Sequence, residues 1–241
     1  MNGEDRSRTG ALVSGDAGIA VVTGGARNLG RAIALALAGA GFGVVVNTRA
    51  DLAAAEQVAS AARELGVPAR AVRADVTDPA EVAAMMTVAA ELGPLRVVVN
   101  NAALRTRVPV GELTIADWRA VHAVILDGAF HCVQAALPAL RAAGHGRILS
   151  ILGANALRGD PGRVHVSAAK HGLVGMTKAL AAACAPDGIT ANAVSPGRIN
   201  DPDPAEERRH RDRLAALVTF LASPAAAEIT GQLIESGPPP G

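Results

Sequence analysis

Short runs of β-branched residues alternate with longer Ala- and Leu-rich stretches from about Gly18 to Gly237. The short runs predict strands and the longer stretches predict helices. Strands are expected at Ile19–Val22, Val44–Asn47, Ala69–Arg73, Val97–Asn100, Arg147–Ile151, Thr190–Val194 and Gln232–Glu235. Helices are expected near 29–40, 51–65, 79–92, 114–142, 165–185 and 206–222. Nearly continuous apolar strands alternating with helices indicate an α/β fold, a Rossmann-like doubly wound parallel sheet in a single domain.

The N-terminal residues and the residues that precede three of the helices add detail to this fold prediction. Residues 1–16 are polar and rich in Gly and Ser, which predicts a flexible N-terminal tail ahead of a domain at 17–241. Asp51, Asp78 and Thr114 each precede a helical stretch and are expected to cap its first turn.

Composition and charge narrow the class of protein. Aromatic residues make up only 2% of the chain, so Ala, Val, Leu and Ile must build the core. A net charge of +1 gives no reason to expect nucleic acid or an acidic membrane as a partner. No apolar run reaches membrane-spanning length and no signal peptide is recognisable, so a soluble cytoplasmic protein is expected. Cys132 and Cys184 lie far apart without metal-ligand spacing, and we expect buried free thiols and no metal site.

A glycine-rich turn follows the first predicted strand. It reads Thr23-Gly24-Gly25-Ala26-Arg27-Asn28-Leu29-Gly30 and leads into a helix. Such a turn lets the backbone approach a pyrophosphate, and the helix start offers free N–H groups and a positive dipole end. Asn28 tolerates left-handed backbone angles better than other non-glycine residues, so the turn can keep its shape. The sequence therefore predicts a dinucleotide site here.

The end of the second strand indicates which dinucleotide. It reads Asn47-Thr48-Arg49, where an NAD-specific site usually carries an acidic residue for the ribose hydroxyl. Arg49 and the nearby Arg27 suit a 2′-phosphate instead, so NADP(H) is predicted, with NAD(H) as the alternative. The competing interpretation makes Arg49 a solvated loop charge and Asp51 only a helix cap.

Further motifs stand at the ends of later strands. They are Asp75-Val76, Asn100-Asn101-Ala102-Ala103 and Ser195-Pro196-Gly197. Together with the glycine turn, in this order, they resemble the short-chain dehydrogenase/reductase family over nearly the whole chain. The resemblance implies cofactor contacts from Gly24, Arg27, Asn28, Leu29, Gly30, Arg49, Asp75, Val76, Asn101, Ala102, Lys170, Pro196 and Gly197. It also implies a homodimer or homotetramer formed by the helices at 114–142 and 165–185.

The resemblance fails at the catalytic residues. In the family an Asn, a Ser, a Tyr and a Lys cooperate, with the tyrosine as proton donor, but this chain contains no tyrosine. Motif alignment places Ile125 at the asparagine, Gly153 at the serine and Val166 at the tyrosine, and only Lys170 remains. Conventional carbonyl reduction needs a proton for the developing alkoxide, so it is expected to be absent or weak.

Neighbouring residues offer substitutes. His165 adjoins Val166 and has a pKa suited to proton transfer, although adjacent helical side chains point about 100° apart. Lys170 is the other catalytic candidate; its simpler role is to hold the cofactor ribose. Ser150 and Ser167 are expected to be structural. A surface or interface role is the competing interpretation for His165 and the expected one for His122 and His131.

Two functional classes follow. The first is a catalytically silent NADP(H)-binding member that acts through assembly. The three replacements favour it, as does the shortened substrate lid expected after Gly197. The partner of such a member would be a second copy or an active homologue. The alternative is an active NADPH-dependent oxidoreductase, or a non-redox cyclase or isomerase, that uses Lys170 with His165 or substrate-assisted proton transfer. The residues name no substrate.

Overall fold

Seven strands pair in parallel into one sheet in the computed structural model, which describes residues 17–153, 157–197 and 203–236. The strands are β1 (Ile19–Val22), β2 (Gly43–Thr48), β3 (Ala69–Arg73), β4 (Leu95–Asn100), β5 (Gly146–Ile151), β6 (Ile189–Ser195) and β7 (Leu233–Glu235). Their order across the sheet is β3-β2-β1-β4-β5-β6-β7. This confirms the predicted doubly wound sheet. The predicted tail at 1–16 lies outside the described residues.

Helices cover both faces of the sheet. They are α1 (Asn28–Gly39), α2 (Leu52–Glu64), α3 (Pro79–Leu92), α4 (Ile115–His122), α5 (Gly128–Ala142), α6 (Val164–Cys184) and α7 (Pro204–Ala222). The single helix predicted at 114–142 is two helices, α4 and α5, joined by a π-helical turn at Ala123–Asp127. A π-turn inserts one residue into the helical repeat without breaking the backbone hydrogen bonding, so the apolar pattern does not reveal it.

The three predicted helix caps are confirmed. Asp51 accepts a hydrogen bond from the Ala54 amide at 3.0 Å, and Asp78 accepts one from the Ala80 amide at 2.8 Å. Thr114 forms a reciprocal capping box with Asp117. Each cap satisfies amide groups that a helix start leaves without partners.

Two apolar layers hold the helices to the sheet. One lies between the sheet and helices α1, α2 and α7, and the other between the sheet and helices α3, α5 and α6. Cys132 and Cys184 are buried free thiols in the second layer, as predicted. Desolvation raises the pKa of Cys132 to about 12, so this thiol stays protonated and unreactive.

The chain reverses its direction across the sheet at β1. It runs from β1 outward to β3, and then returns to form β4 on the other side of β1. Ligands of open α/β sheets bind in the crevice beyond the carboxyl ends of the strands at such a reversal. The glycine turn after β1 and the Asn-Asn motif after β4 both lie there.

The helical stretch Ile115–Ala142 corrects the expectation that no apolar run reaches membrane-spanning length. It is 28 residues long with a mean hydropathy of 1.5, enough by length and composition to cross a membrane. Core helices of soluble proteins satisfy the same criterion. Here Cys132, Val133, Ala136 and Leu140 pack into the sheet layer, as in a core helix.

Candidate active site

The glycine turn has the backbone shape that a dinucleotide site needs. Asn28 has a φ of +50°, the left-handed conformation expected from its position in the turn. A Cβ atom on Gly30 would lie 2.2 Å from the Gly24 carbonyl oxygen, so only glycine allows this approach. Arg27 stands at the N-cap of α1 without a side-chain capping bond, and the first turn contains no acidic residue. The amide groups at the start of α1 are therefore available to an anion.

Hydrogen bonds fasten this turn to the exit of β4. The Thr23 hydroxyl donates to the Val99 carbonyl at 3.1 Å and accepts from the amides of Asn101 and Ala102 at 2.9 and 3.0 Å. The Asn101 side chain donates to the carbonyls of Thr23 and Gly24 at 2.9 and 3.1 Å. Asn101 and Ala102 thus set the position of the turn as well as border the crevice.

A first cleft of about 200 Å³ lies beyond β1, β2 and β3. Its lining brings together most of the residues predicted for the adenosine end, namely Gly24, Arg27, Arg49, Asp75, Val76 and Ala102. Asp51 is engaged as the cap of α2, and the described lining does not include it. Arg27 and Arg49 therefore present two guanidinium groups to this cleft, while the Asp51 carboxylate is used at the start of α2. The two guanidinium groups fit the 2′-phosphate of NADP(H).

A second cleft of about 190 Å³ adjoins the first, with Arg27 and Ala103 in the walls of both. Predicted residues in its walls are Asn28, Leu29, Gly30, Asn101 and Lys170. Arg105, Ile151, Leu152, Glu207 and Arg211 also line it. Sequence reasoning missed these five. Arg105 alone carried a usable signal, because it stands directly after the Asn-Asn-Ala-Ala-Leu exit of β4.

Lys170 is the buried cation of this second cleft. Its side chain reaches from α6 to the end of β5, where the Nζ atom donates to the Ile151 carbonyl oxygen at 2.6 Å. The residue is only 3% exposed. Desolvation, and then the positive charge of Arg105, lower the pKa of Lys170 from 10.5 to about 7. Its amine therefore changes protonation near neutral pH.

The family's tyrosine and asparagine positions lie together in an apolar cluster. Ile125 is 1% exposed, Val166 is 3% exposed, and both pack with Leu152, Leu173 and Ala193. This cluster fills the space between the π-turn, α6 and the end of β5. Within the described residues, the side chains at these two positions supply no proton donor.

His165 contacts the loop after β4 and is not part of the described lining of the second cleft. It is fully buried, and its Nε2 atom lies 2.9 Å from the Thr106 hydroxyl oxygen. The alternative prediction of a surface or interface histidine is wrong, because this side chain fills the gap between α6 and the loop after β4. Its catalytic role stays a prediction, and its observed contact is structural.

The loop after β4 is tied to the start of α6 at three points. Thr106 contacts His165, Arg107 donates to the buried Asp160 carboxylate at 2.8 Å, and the Val108 amide donates to the Gly162 carbonyl at 2.8 Å. Asp160 is 8% exposed and also accepts from the Gly162 amide at 3.1 Å. These bonds fix one wall of the second cleft.

The segment after β6 is described only in part. Pro196 and Gly197 lie at the end of β6, Gly197 has a φ of +63°, and the Pro196 carbonyl contacts His210 of α7. Neither residue is among those described as lining the clefts. The expected shortened lid after Gly197 falls at 198–202, outside the described residues.

The remaining predicted residues have plain structural roles. Ser150 is buried in β5 and the Ser167 hydroxyl is buried in α6, as expected of structural residues. His122 stacks on Trp118 with ring centroids 4.3 Å apart, and His131 contacts the Val76 carbonyl at 3.0 Å. Both are half-buried.

Taken together, the two clefts can hold a dinucleotide. The uncapped start of α1 and the close Gly24–Gly30 contact fit a pyrophosphate, and the Arg27–Arg49 pair fits a phosphorylated ribose. Lys170 lines the second cleft together with the residues of the glycine turn. These residues fit NADP(H), in agreement with the predicted cofactor.

Several proteins of known name are similar to this chain. The 3-oxoacyl-(acyl-carrier-protein) reductase of Aggregatibacter actinomycetemcomitans is 38% identical over 89% of this chain and 95% of its own length. The corresponding reductase of Synechocystis is 35% identical over 89% of this chain and 93% of its own length. Among solved structures, acetoin dehydrogenase from Salmonella typhimurium matches with a TM-score of 0.84 and 32% identity, over 91% of this chain and 95% of that protein.

These similarities correct the prediction of a silent member. That prediction rested on three replaced side chains, yet proteins 35–38% identical over most of the chain are named as reductases. They point to an active oxidoreductase and not to a pseudoenzyme. The physical reason for the error is that a fold can supply a proton from another group, so three replaced side chains do not by themselves exclude the reaction.

The family itself is shown by a direct match. The model of the short chain dehydrogenase family matches residues 18–212, from β1 into the first half of α7. Strands β1 to β6, the glycine turn at the chain reversal and the retained lysine all lie within that match. The chain belongs to the short-chain dehydrogenase family.

Proposed function

We propose that this protein is an active NADP(H)-dependent oxidoreductase that interconverts a carbonyl compound and its alcohol, with Lys170 as the proton donor. The main support for this proposal is the buried amine of Lys170, which lies at the end of β5 in the cleft that the predicted cofactor residues also line. The reductases and dehydrogenases to which the chain is similar support the reaction class.

The chemistry requires a hydride and a proton. When bound, NADPH supplies the hydride that adds to the carbonyl carbon, and the carbonyl oxygen then carries the released electron pair. The ammonium form of Lys170 donates one proton to that oxygen and becomes a neutral amine, which water reprotonates. The alcohol leaves, and no other reactant is needed.

Burial gives Lys170 a suitable acidity for this step. An ordinary lysine has a pKa near 10.5 and releases its proton too reluctantly at neutral pH, whereas the lowered pKa of about 7 matches a general acid. The hydrogen bond to Ile151 uses one of three N–H donors. The other two have no partner among the residues that the structure describes, and they can donate to the substrate oxygen or the ribose. His165 supports the reaction indirectly by holding the loop after β4.

The test compares the two lysines of the chain. Purified wild type, Lys170→Met and Lys178→Met are assayed for NADPH oxidation with a panel of ketones and aldehydes. Lys178 is exposed and serves as the matched control. We expect Lys170→Met to lose about a hundredfold or more in kcat, as removal of a general acid does. Lys178→Met should retain wild-type kcat.

Calorimetric titration with NADPH separates chemistry from binding. Folded Lys170→Met protein that binds NADPH but does not turn over supports the proposal. Wild-type turnover by Lys170→Met, or tight NADPH binding by wild type without turnover on any carbonyl of the panel, contradicts it.

We propose further that the protein is cytoplasmic and that a second copy covers the exposed apolar side chains of α4 and α5. Ile115 is 66% exposed and Phe130 is 48% exposed in the single chain. A second copy on this surface would explain why the helical stretch carries more apolar side chains than the core of one copy buries. Analytical ultracentrifugation of wild type and Phe130→Asp tests it: wild type should sediment as a dimer or tetramer and the variant as a smaller species.

A further inference from the structure

We infer that the second cleft binds a substrate that carries a carboxylate, and that Arg105 recognises this group. The inference names the substrate class of the reaction proposed above and rests on that proposal for the presence of a reacting carbonyl. Its ligand is therefore a keto acid, or the matching hydroxy acid in the reverse direction.

Arg105 is a cation that lacks a partner within the described residues. It takes part in none of the hydrogen bonds or ion pairs found among 17–153, 157–197 and 203–236. The nearby carboxylates have arginine partners already. Asp160 binds Arg107 at 2.8 Å, and Glu207 binds Arg211 at 3.1 Å. The cleft thus presents a guanidinium group whose bidentate donors suit a carboxylate.

The charges that act between Arg105 and its neighbours are positive, and Glu207 in the same lining is already paired with Arg211. The charge of Arg105 acts on Lys170, and the charge of Arg163 acts on Arg105. A bound carboxylate would relieve this repulsion between like charges. It would also favour the protonated form of Lys170, the form that the proposed reduction requires.

The backbone holds Arg105 in place. The next three residues, Thr106, Arg107 and Val108, are each tied to the segment 160–165. A side chain that starts from a fixed backbone loses less conformational freedom when it binds a ligand. This arrangement explains why the fully buried His165 and the buried Asp160 lie beside a substrate cleft: they position the loop that carries Arg105.

Arg105 and the residues predicted to hold the pyrophosphate reach the cleft from different elements. The start of α1 with Asn28 and Gly30 forms one wall, whereas Arg105 extends from the exit of β4 near Lys170. A phosphate of the cofactor and a carboxylate of the substrate share the same chemistry toward arginine. The position beside the proton donor favours the substrate.

The experiment uses three keto acids of increasing length, namely pyruvate, acetoacetate and levulinate, each with its uncharged methyl ester. Wild type, Arg105→Gln and Arg208→Gln are compared in the NADPH oxidation assay and in calorimetric titrations of the NADP⁺-bound protein. Arg208 lies exposed on α7 outside the cleft, so its variant removes the same charge elsewhere.

We expect wild type and Arg208→Gln to prefer at least one acid over its ester by about tenfold or more, the strength of a charge-assisted hydrogen bond. Arg105→Gln should lose that preference through a higher KM for the acid, with the KM for the ester unchanged. The affinity for NADPH should be the same in all three proteins, as measured by titration.

The outcomes separate this inference from the proposed function. Reduction of acids and esters without acid preference, or an unchanged preference in Arg105→Gln, overturns the carboxylate site and leaves the oxidoreductase standing. Arg105-dependent binding of a keto acid without any turnover supports the site and contradicts the proposed reaction. A weaker affinity for NADPH in Arg105→Gln assigns the arginine to the cofactor and overturns the inference, as does the absence of keto-acid binding altogether.

Discussion

The Nζ atom of Lys170 lies 2.6 Å from the carbonyl oxygen of Ile151 and donates a hydrogen bond to it. This bond links α6 to the last residue of β5 and holds a buried, titratable amine in the second cleft. Desolvation of the charged form is the main cause of the lowered pKa of Lys170, and the charge of Arg105 adds to it. Both the activity and the stability of the protein should therefore change with pH.

The pH dependence of ketone reduction should follow the ionisation of the Lys170 amine. If its ammonium form donates the proton, kcat for ketone reduction is highest at low pH and falls about tenfold per pH unit above the pKa of the complex. That pKa lies at about 7 without ligands, and the negative charge of bound NADPH moves it upward. Steady-state kinetics in overlapping buffers measures the profile. A flat profile across this range would contradict the assignment of Lys170 as the acid.

The stability of the fold should rise with pH over the same range. Unfolded Lys170 keeps a pKa near 10.5, so between about 7 and 10.5 the unfolded chain binds more protons than the folded one. The free energy of unfolding then increases with pH, because proton binding favours the state that binds more protons. Below pH 7 the full penalty of burying the charge remains.

Lys170→Met removes this penalty. We expect the variant to be more stable than wild type at neutral pH by an amount on the order of a few kcal/mol. The difference should shrink as pH rises toward 10.5. Urea denaturation at several pH values gives both curves. Parallel curves for the variant and wild type would show that Lys170 is not titrating in the folded state.

The fold could be predicted from sequence because its signals are local and repeated. Most strands from β1 to β6 are short runs of mainly buried residues, with the edge strand β3 as the exception. The observed limits of these strands differ from the predicted ones by no more than two residues. Caps such as Thr114 depend on neighbours within one turn. The π-turn at Ala123–Asp127 could not be predicted, since it alters helical pitch without altering composition.

The candidate site could be predicted from residues that directly follow a strand, and from the family resemblance at Lys170. Asn28, Arg49 and Asn101 each stand beside a strand end or a glycine, and the topology brings them together. Glu207 and Arg211 come from α7, far along the chain, and no local pattern links them to the cleft. The direction of His165 could not be read from its position next to Val166, because it depends on the contact with Thr106.

Restoring a tyrosine at Val166 should not restore the usual site. Val166 is 3% exposed and packs against an apolar cluster that includes Ile125 and Leu152. A phenol ring there overfills the cluster and costs about 1–3 kcal/mol of stability. Thermal unfolding of Val166→Tyr measures the loss. The double variant Ile125→Asn/Val166→Tyr removes part of the bulk and should recover some of it; a single variant as stable as wild type would contradict the packing argument.

The left-handed backbone conformation of Asn28 should limit which residues the glycine turn tolerates at this position. With φ at +50°, a β-branched residue at this position is strained by about 1–3 kcal/mol, whereas glycine is not. Asn28→Val should therefore lower stability and weaken NADPH binding, and Asn28→Gly should do neither. Chemical denaturation and calorimetric titration check the pair. Equal NADPH affinity in the two variants would mean that this backbone angle does not matter for the cofactor.

Cofactor preference should depend on Arg49. Arg49 and Arg27 line the same cleft, and Asp51 is engaged in capping α2, so the site offers positive charge to a 2′-phosphate. Arg49→Asp replaces a phosphate partner by a carboxylate that repels the phosphate and can accept a hydrogen bond from a free ribose hydroxyl. We expect the Kd for NADPH to rise by about tenfold to a hundredfold while the Kd for NADH stays the same or falls.

Arg119→Asp, which makes the same change at an exposed position of α4, is the control and should leave both affinities as in wild type. If Arg49→Asp weakens NADH as much as NADPH, the arginine acts on the shared part of the dinucleotide and the 2′-phosphate must be recognised elsewhere.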